Sequence, residues 1–141
     1  MRLRLAVVSV VALLHLPARA QDGYKVIVNS SNAVASLSRS QVSELFLKKV
    51  TSWPGGKSVE PVEPPDRSPA REKFCSEVHG KTPALLKAYW TRVVFAGHMQ
   101  PPVAKGSEED VVAFVRANPG AIGYVAAATD TGGVKVVSVN P

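Results

Sequence analysis

Segments rich in β-branched residues alternate with helix-start signals along residues 24–139, and this alternation constrains the fold more than any other feature of the sequence. Residues 24–28 are rich in β-branched side chains, which predicts a first strand. Residues 121–125 and 134–139 predict two more strands. A short extended piece is expected at 58–62, and Pro61, which lacks an N–H group, places it at a sheet edge.

Four helices are predicted from their start signals. These are the capping box of Ser38 and Gln41, the pairs Ser68-Pro69 and Thr82-Pro83, and Ser107 before three acidic residues. The third helix is expected to bury a wide apolar stripe made by Leu85, Leu86, Tyr89, Trp90, Val93 and Val94. The order of strand, helix, strand, three helices and two strands predicts an α/β domain, with a small mixed sheet flanked by about four helices.

The first 20 residues have the layout of a secretory signal peptide. Arg2 and Arg4 precede an apolar run over residues 5–16, and a small-residue cleavage pattern ends at Ala20. The run is shorter than the roughly 18–20 apolar residues that a membrane span needs. We therefore expect cleavage after Ala20, export to the periplasm, a single domain over residues 21–141, and no membrane insertion after cleavage.

Charge and cysteine content narrow the classes of partner. Removal of Arg2, Arg4 and Arg19 with the signal leaves 14 basic and 11 acidic residues, so the net charge falls from +6 to +3. This charge is too small for a nucleic-acid-binding surface, which would show clustered Lys and Arg, but it suits a small anionic ligand. The lone Cys75 can form no intramolecular disulfide.

The sequence contains no catalytic constellation. It has neither a G-x-S-x-G nor an H-E-x-x-H motif, so we expect no enzymatic activity and no cofactor. Cys75 and His79 are four residues apart on a helix and could share a metal ion only with a third ligand; a buried thiol beside a surface histidine is the simpler interpretation. The aromatic residues at helical or strand spacing are more typical of a core than of a binding platform. They are Trp53, Tyr89, Trp90, Phe95 and Tyr124.

One loop that leads into a helix start is a candidate anion-binding site. Arg67, Ser68, Ala70 and Arg71 could together hold an oxyanion, through the Ser68 hydroxyl, two guanidinium groups and the free N–H groups of the first turn. In the alternative interpretation, Ser68 only caps its helix and both arginines are solvated. The residue types alone leave both interpretations open.

Three motifs, taken in order, resemble the phosphate-binding proteins of ABC importers. They are Leu37-Ser38-Arg39-Ser40-Gln41-Val42-Ser43-Glu44-Leu45-Phe46, Trp53-Pro54-Gly55-Gly56 and Pro119-Gly120-Ala121-Ile122-Gly123-Tyr124-Val125. Tyr89-Trp90 and residues 94–97 are also similar to the short members described as phosphate transporter substrate-binding proteins. The resemblance covers nearly all of residues 24–126.

The resemblance implies a single periplasmic-binding-protein-like lobe, whereas the full-length family binds phosphate between two lobes. In the family's ligand loop Ser68 matches a serine and Asp66 an aspartate. Pro69 and Ala70 replace a glycine and a threonine, and Pro64 stands at an arginine position. The replacements at 69 and 70 remove a backbone donor and a hydroxyl group.

Two functions are therefore expected. The first is weak binding of phosphate or a similar oxyanion, aided by a second lobe, a homodimer or a membrane transporter or sensor protein. The second is a protein-interaction module that keeps the lobe fold without a ligand and serves a periplasmic sensor or transporter. The changes in the ligand loop favour the second.

Overall fold

A computed structural model describes residues 23–141, so the predicted signal peptide lies outside the described residues. The strands are β1 (Tyr24–Asn29), β2 (Ser36–Ser38), β3 (Glu60–Glu63), β4 (Val103–Ala104), β5 (Ala121–Ala126) and β6 (Val134–Asn140). The helices are α1 (Arg39–Phe46), α2 (Pro69–Phe74), α3 (Pro83–Phe95) and α4 (Glu108–Ala117), and α2 continues into one π-helical turn, Cys75–His79. No helix within residues 23–141 is both long and apolar enough to cross a membrane.

The six strands form one mixed sheet in the order β2-β6-β1-β5-β3-β4. The central strand β1 runs antiparallel to both β5 and β6. The outer pairs β2–β6, β3–β5 and β3–β4 are parallel. The predicted α/β domain, a small mixed sheet with about four helices, is confirmed.

The expectation that the segment with Pro61 lies at an edge is wrong, because β3 has β5 on one side and β4 on the other. The Glu60 N–H group donates to Gly120 O beside β5, and successive N–H groups of a strand point to opposite sides. Position 61 therefore faces the β4 side, where pairing begins only at Val62. Pro61 thus costs the sheet no hydrogen bond, and the two-residue β4 is the edge strand.

Both faces of the sheet are covered. On one face α1 and α2 pack an aromatic cluster in which Phe74 stacks on Tyr124 with ring centroids 3.7 Å apart, and Phe46 meets both rings edge-on. On the other face α4 buries an aliphatic cluster with residues of β1, β3 and β5. Val26 and Val28 contribute to the first cluster and Ile27 to the second, as expected for a central strand whose side chains alternate between faces.

A buried amide holds the end of α4 against β1. Asn29 Nδ2 donates to Val115 O at 2.9 Å and to Arg116 O at 3.0 Å, so it satisfies two of the carbonyl groups left free at a helix end. The other end of α4 begins at Ser107, whose hydroxyl accepts from Asp110 N–H at 3.1 Å. These contacts fix the position of Glu108, the first residue of the helix.

The burial of α3 differs from the sequence-based expectation. Only Leu86 of the expected apolar stripe is buried, while Tyr89, Trp90 and Val93 are half-buried. Leu85 is 58% and Phe95 88% exposed, so the expected core position of Phe95 is wrong, whereas Trp53 and Tyr124 are buried as expected. A period of 3.6 residues predicts a helix with an apolar face, but it does not show whether another element covers that face.

Candidate functional site

The loop from β3 to α2 brings the four predicted anion-site residues to one end of the sheet. Ser68 stands at the N-cap position of α2 with extended backbone angles, and Pro69 takes the first helical position, as the sequence predicted. The Ser68 side chain makes no capping hydrogen bond. Its hydroxyl instead donates to Glu108 Oε1 at 2.6 Å, across a sequence separation of 40 residues.

The other carboxylate oxygen of Glu108 accepts two further hydrogen bonds. Ala126 N–H, at the end of β5, donates to Glu108 Oε2 at 3.1 Å. The Thr129 hydroxyl, in the turn that follows β5, donates to the same oxygen. The half-buried Glu108 carboxylate therefore lies among three donors from three separate parts of the chain.

The two arginines of the predicted site have different environments. Arg67 is exposed and donates from Nη2 to Gly106 O at 3.0 Å. Arg71 donates to Glu63 Oε2 at 2.8 Å and to Pro64 O at 2.9 Å, and its Nε lies 3.4 Å from Asp66 Oδ1. Arg71 is thus not solvated, because a buried carboxylate at the end of β3 draws its guanidinium inward.

Glu63 is the buried member of this ion pair. Burial raises the pKa of the Glu63 carboxyl, and the Arg71 guanidinium limits that rise. The pair therefore serves first to neutralise a carboxylate inside the lobe, and less of the Arg71 charge remains for an external anion.

The backbone donors of the first turn of α2 are also partly used. Arg71 N–H donates to Ser68 O at 3.0 Å, and Ala70 is buried. The loop thus brings Arg67, Ser68, Ala70 and Arg71 together. However, the Ser68 hydroxyl and most of the Arg71 donors already bind acceptors within the chain. Oxyanion binding at these four residues stays a prediction.

A cavity of about 360 Å³ opens beside this loop, between α3 and the aromatic cluster. Glu63, Arg71, Cys75, His79 and Trp90 are among its lining residues. The buried Tyr124 hydroxyl makes no hydrogen bond within the described chain. Burial raises its pKa, the nearby Glu63 and Cys75 raise that pKa further, and the Arg71 charge opposes the rise.

The thiol and imidazole of the π turn are not arranged as a metal site. Burial raises the pKa of the Cys75 thiol to about 11 and lowers the pKa of His79 to about 4. His79 Nδ1 lies 2.8 Å from the Ser43 hydroxyl, so one ring nitrogen already has a partner. Among residues 23–141 no group of three or more His, Cys, Asp or Glu side chains is placed to hold a metal ion.

Sequence reasoning missed Glu108, Ala126 and Thr129 as neighbours of Ser68. The sequence assigns Glu108 only a favourable interaction with the positive end of α4. Ala126 takes part through its backbone N–H, which no side-chain pattern can reveal. Because these contacts span 18 to 40 residues, only the sheet topology brings them together.

Comparisons with solved structures show the same fold. An ABC-type phosphate transport receptor from Vibrio cholerae aligns with a TM-score of 0.65 and 18% identity over 83% of this chain and 46% of the receptor. A phosphate ABC transporter substrate-binding protein with bound phosphate, from Clostridium perfringens, aligns with a TM-score of 0.62 and 22% identity over 85% of this chain and 47% of that protein. A possible phosphate-binding protein from Planctomyces limnophilus gives a TM-score of 0.62 with 18% identity over 83% of this chain and 41% of its own.

This chain spans less than half the length of these three structures. No curated protein matches the chain. The family model described as the PBP superfamily domain matches residues 19–139, which include all four helices and every strand except the last residue of β6. The chain therefore belongs to the PBP superfamily domain family.

Proposed function

We propose that this chain is a periplasmic protein-interaction module that keeps the lobe fold of a phosphate-binding protein and docks onto a sensor or transporter protein. The surface that we assign to docking is the α3 face, formed by Leu85, Ala88, Arg92 and Phe95. These positions are three or four residues apart, so they share one side of the helix. All four are exposed.

The composition of the α3 face is the observation that carries the proposal. A surface helix normally presents polar residues to water, yet Leu85 and Phe95 project 58% and 88% of their surface into solvent. Exposed apolar residues that cluster on one surface typically mark an interaction site. Phenylalanine and arginine are also enriched in protein interfaces relative to the rest of the surface.

The charges around the α3 face indicate the chemistry of the partner. Residues 81–106 contain four basic residues, Lys81, Lys87, Arg92 and Lys105, and no aspartate or glutamate. The complementary surface is therefore apolar, with carboxylates at its margin that can pair with Arg92 and Lys87. This chemistry suits a protein groove lined by aliphatic residues and edged by acidic ones.

The state of the ligand loop supports the same conclusion. The Ser68 hydroxyl donates a hydrogen bond to the Glu108 carboxylate, and the Arg71 guanidinium donates to the Glu63 carboxylate and to Pro64 O. A loop whose donors already have acceptors has little affinity left for free phosphate. The fold is thus retained while the chemistry for a small anion is reduced.

Site-directed photocrosslinking in the native host tests the proposal. A photoreactive phenylalanine analogue replaces Phe95 in one variant and the exposed Lys57, which lies outside α3, in a matched control. We expect a discrete adduct with one larger protein from position 95 only, and its loss when Arg92→Glu is added. Adducts between two copies of the chain, or equal adducts from both positions, would contradict the proposal.

A vesicle experiment distinguishes a protein partner from a membrane surface. Sedimentation with phosphatidylethanolamine–phosphatidylglycerol vesicles should leave the exported protein in solution, with no difference between the native chain and Phe95→Ser. Co-sedimentation of the native chain that Phe95→Ser abolishes would instead assign the α3 face to anionic lipid.

Weak oxyanion binding is the second candidate function, and the environment of Arg67 favours it. Only one of the five N–H groups of its exposed guanidinium donates to a chain acceptor given by the structure, Gly106 O, and Arg67 directly precedes Ser68 in the chain. Calorimetry of the exported protein at low ionic strength should then show phosphate and sulfate binding in the high-micromolar to millimolar range, roughly −4 to −6 kcal/mol. Arg67→Ala should weaken this binding about tenfold, a loss that one charge-assisted hydrogen bond can account for.

A further inference from the structure

We infer that Ser68 Oγ, Ala126 N–H and Thr129 Oγ1 form a carboxylate-binding pocket that the chain fills with its own Glu108. The three donors come from the start of α2, the end of β5 and the turn after β5, and all three meet one carboxylate. The occupant is tethered at the first position of α4.

The geometry is that of a complete recognition site for a planar carboxylate. Oε1 accepts from Ser68 at 2.6 Å, and Oε2 accepts from Ala126 N–H at 3.1 Å and from Thr129. Each oxygen therefore has at least one donor, and the short distance to Ser68 is typical of a hydroxyl that donates to an ionised acceptor. Ser68 is buried, so its hydroxyl would lose a partner, and gain little water, if the carboxylate were absent.

Two comparisons show that the contact between these donors and Glu108 is specific. Serine at an N-cap normally accepts from its own helix, yet Ser68 makes no such bond and donates outward. The neighbouring Glu109 and Asp110 are exposed and equally acidic, but only Glu108 reaches the three donors. Favourable charge at the helix start alone would not distinguish these residues.

A tethered occupant also explains why a free anion is at a disadvantage here. A group held on the same chain binds as an intramolecular partner at high effective concentration, so an external anion must displace it. The pocket is therefore closed to dissolved carboxylates in the native chain and becomes open only when the Glu108 side chain is removed.

Chemical rescue by acetate tests the inference. Glu108→Ala should lower the thermal midpoint and create saturable acetate binding, with half-maximal recovery of the midpoint at about 10–100 mM acetate, the range expected for so small a ligand. Sodium chloride at equal ionic strength should give no such recovery. The backbone amide resonance of Ala126 should shift with the same acetate dependence.

Two controls separate a binding pocket from a purely structural contact. Glu109→Ala, which removes an exposed neighbour of the same charge, should show no specific response to acetate. Addition of Ser68→Ala to Glu108→Ala should weaken the acetate response about tenfold or abolish it. Recovery equal to that in chloride, or a response in Glu109→Ala, would overturn the inference.

A folding defect in Glu108→Ala still gives a decisive result. Acetate added during refolding should then restore the circular dichroism of the native fold, whereas chloride should not. If acetate fails to do so, Glu108→Gln serves as the folded reference, since it keeps one acceptor oxygen. An Ala126 amide resonance in Glu108→Gln that is unchanged from the native chain would show that the carboxylate is not what the donors recognise, and would overturn the inference.

Discussion

Arg71 Nη2 lies 2.8 Å from Glu63 Oε2, and this ion pair joins the end of β3 to the first turn of α2. Both side chains are largely withdrawn from water, with 19% of Arg71 and 11% of Glu63 exposed. Because burial raises the pKa of Glu63, its carboxylate depends on Arg71 to remain charged inside the lobe. The pair therefore orders the loop that carries Ser68.

Removal of Arg71 should be strongly destabilising. We expect Arg71→Met to lower the free energy of unfolding by about 2–4 kcal/mol, because it leaves Glu63 buried without a counter-charge. The matched control is Lys73→Met on the same helix, which breaks the 3.1 Å pair between the exposed Lys73 and the half-buried Glu77 and should cost less than about 0.5 kcal/mol. Denaturant unfolding of both variants measures the difference, and equal losses would contradict a stabilising role of the buried pair.

Gly123 is a position where the sheet allows no side chain. A Cβ atom there would lie 2.9 Å from Val111 Cγ1 and 2.9 Å from Val62 Cγ1, both buried side chains. We expect Gly123→Ala to lower the free energy of unfolding by about 1–3 kcal/mol, since the packed core has to shift to accept it. Gly106→Ala is the control, because its Cβ would meet only Asp110 Oδ2 at 4.0 Å. An unchanged denaturation midpoint for Gly123→Ala would show that the core yields easily.

Local signals in the sequence predicted the helices well, because helix starts depend on residues three or four apart. The capping box of Ser38 and Gln41 is present, and Thr82 accepts from Leu85 N–H at 3.2 Å. Gly80 ends the π turn with a positive φ of 63°, a conformation that glycine adopts without strain. These features need no information from distant parts of the chain.

Features that depend on distant partners were not predictable. β2 and β4 have three and two residues, too few for a period of two, and exist because β6 and β3 pair with them. The Ser68–Glu108 contact joins residues 40 positions apart, and no local pattern marks it. The residue types thus marked Arg67, Ser68, Ala70 and Arg71 as a candidate anion site, but they did not reveal the internal acceptors that use the donors of Ser68 and Arg71.

Cys75 should be chemically inert in the folded protein. It is almost completely buried, and burial raises the pKa of its thiol to about 11, so little thiolate forms near neutral pH. A disulfide reagent such as Ellman's reagent should modify it at least about 100-fold more slowly than an exposed thiol, in proportion to the thiolate fraction alone.

A thiol moved by one residue gives the matched control for this measurement. Ser76 is exposed and adjacent to Cys75. The double variant Cys75→Ser with Ser76→Cys should therefore react rapidly while folded, and both proteins should react alike after denaturation. Rapid modification of native Cys75 would show that the π turn opens readily in solution.

His79 should make the stability of the protein depend on pH on the acid side. Burial, together with the nearby Lys81 charge, lowers the pKa of His79 from 6.5 to about 4 in the folded state. Its ring also packs edge-on against Phe74, with centroids 5.4 Å apart, and bonds to Ser43, so the neutral form is the one that the fold accommodates. Because the unfolded chain binds a proton more readily, the contribution of His79 is complete above its ordinary pKa and is lost as the pH falls from about 6.5 towards 4. The free energy of unfolding should then decrease by up to about 1.4 kcal/mol per pH unit in this window.

Denaturant unfolding at several pH values measures the slope of this pH dependence. The slope should flatten in His79→Asn and persist in His98→Asn, where an exposed histidine is removed. A slope that is the same in both variants would mean that the acid sensitivity comes from other groups.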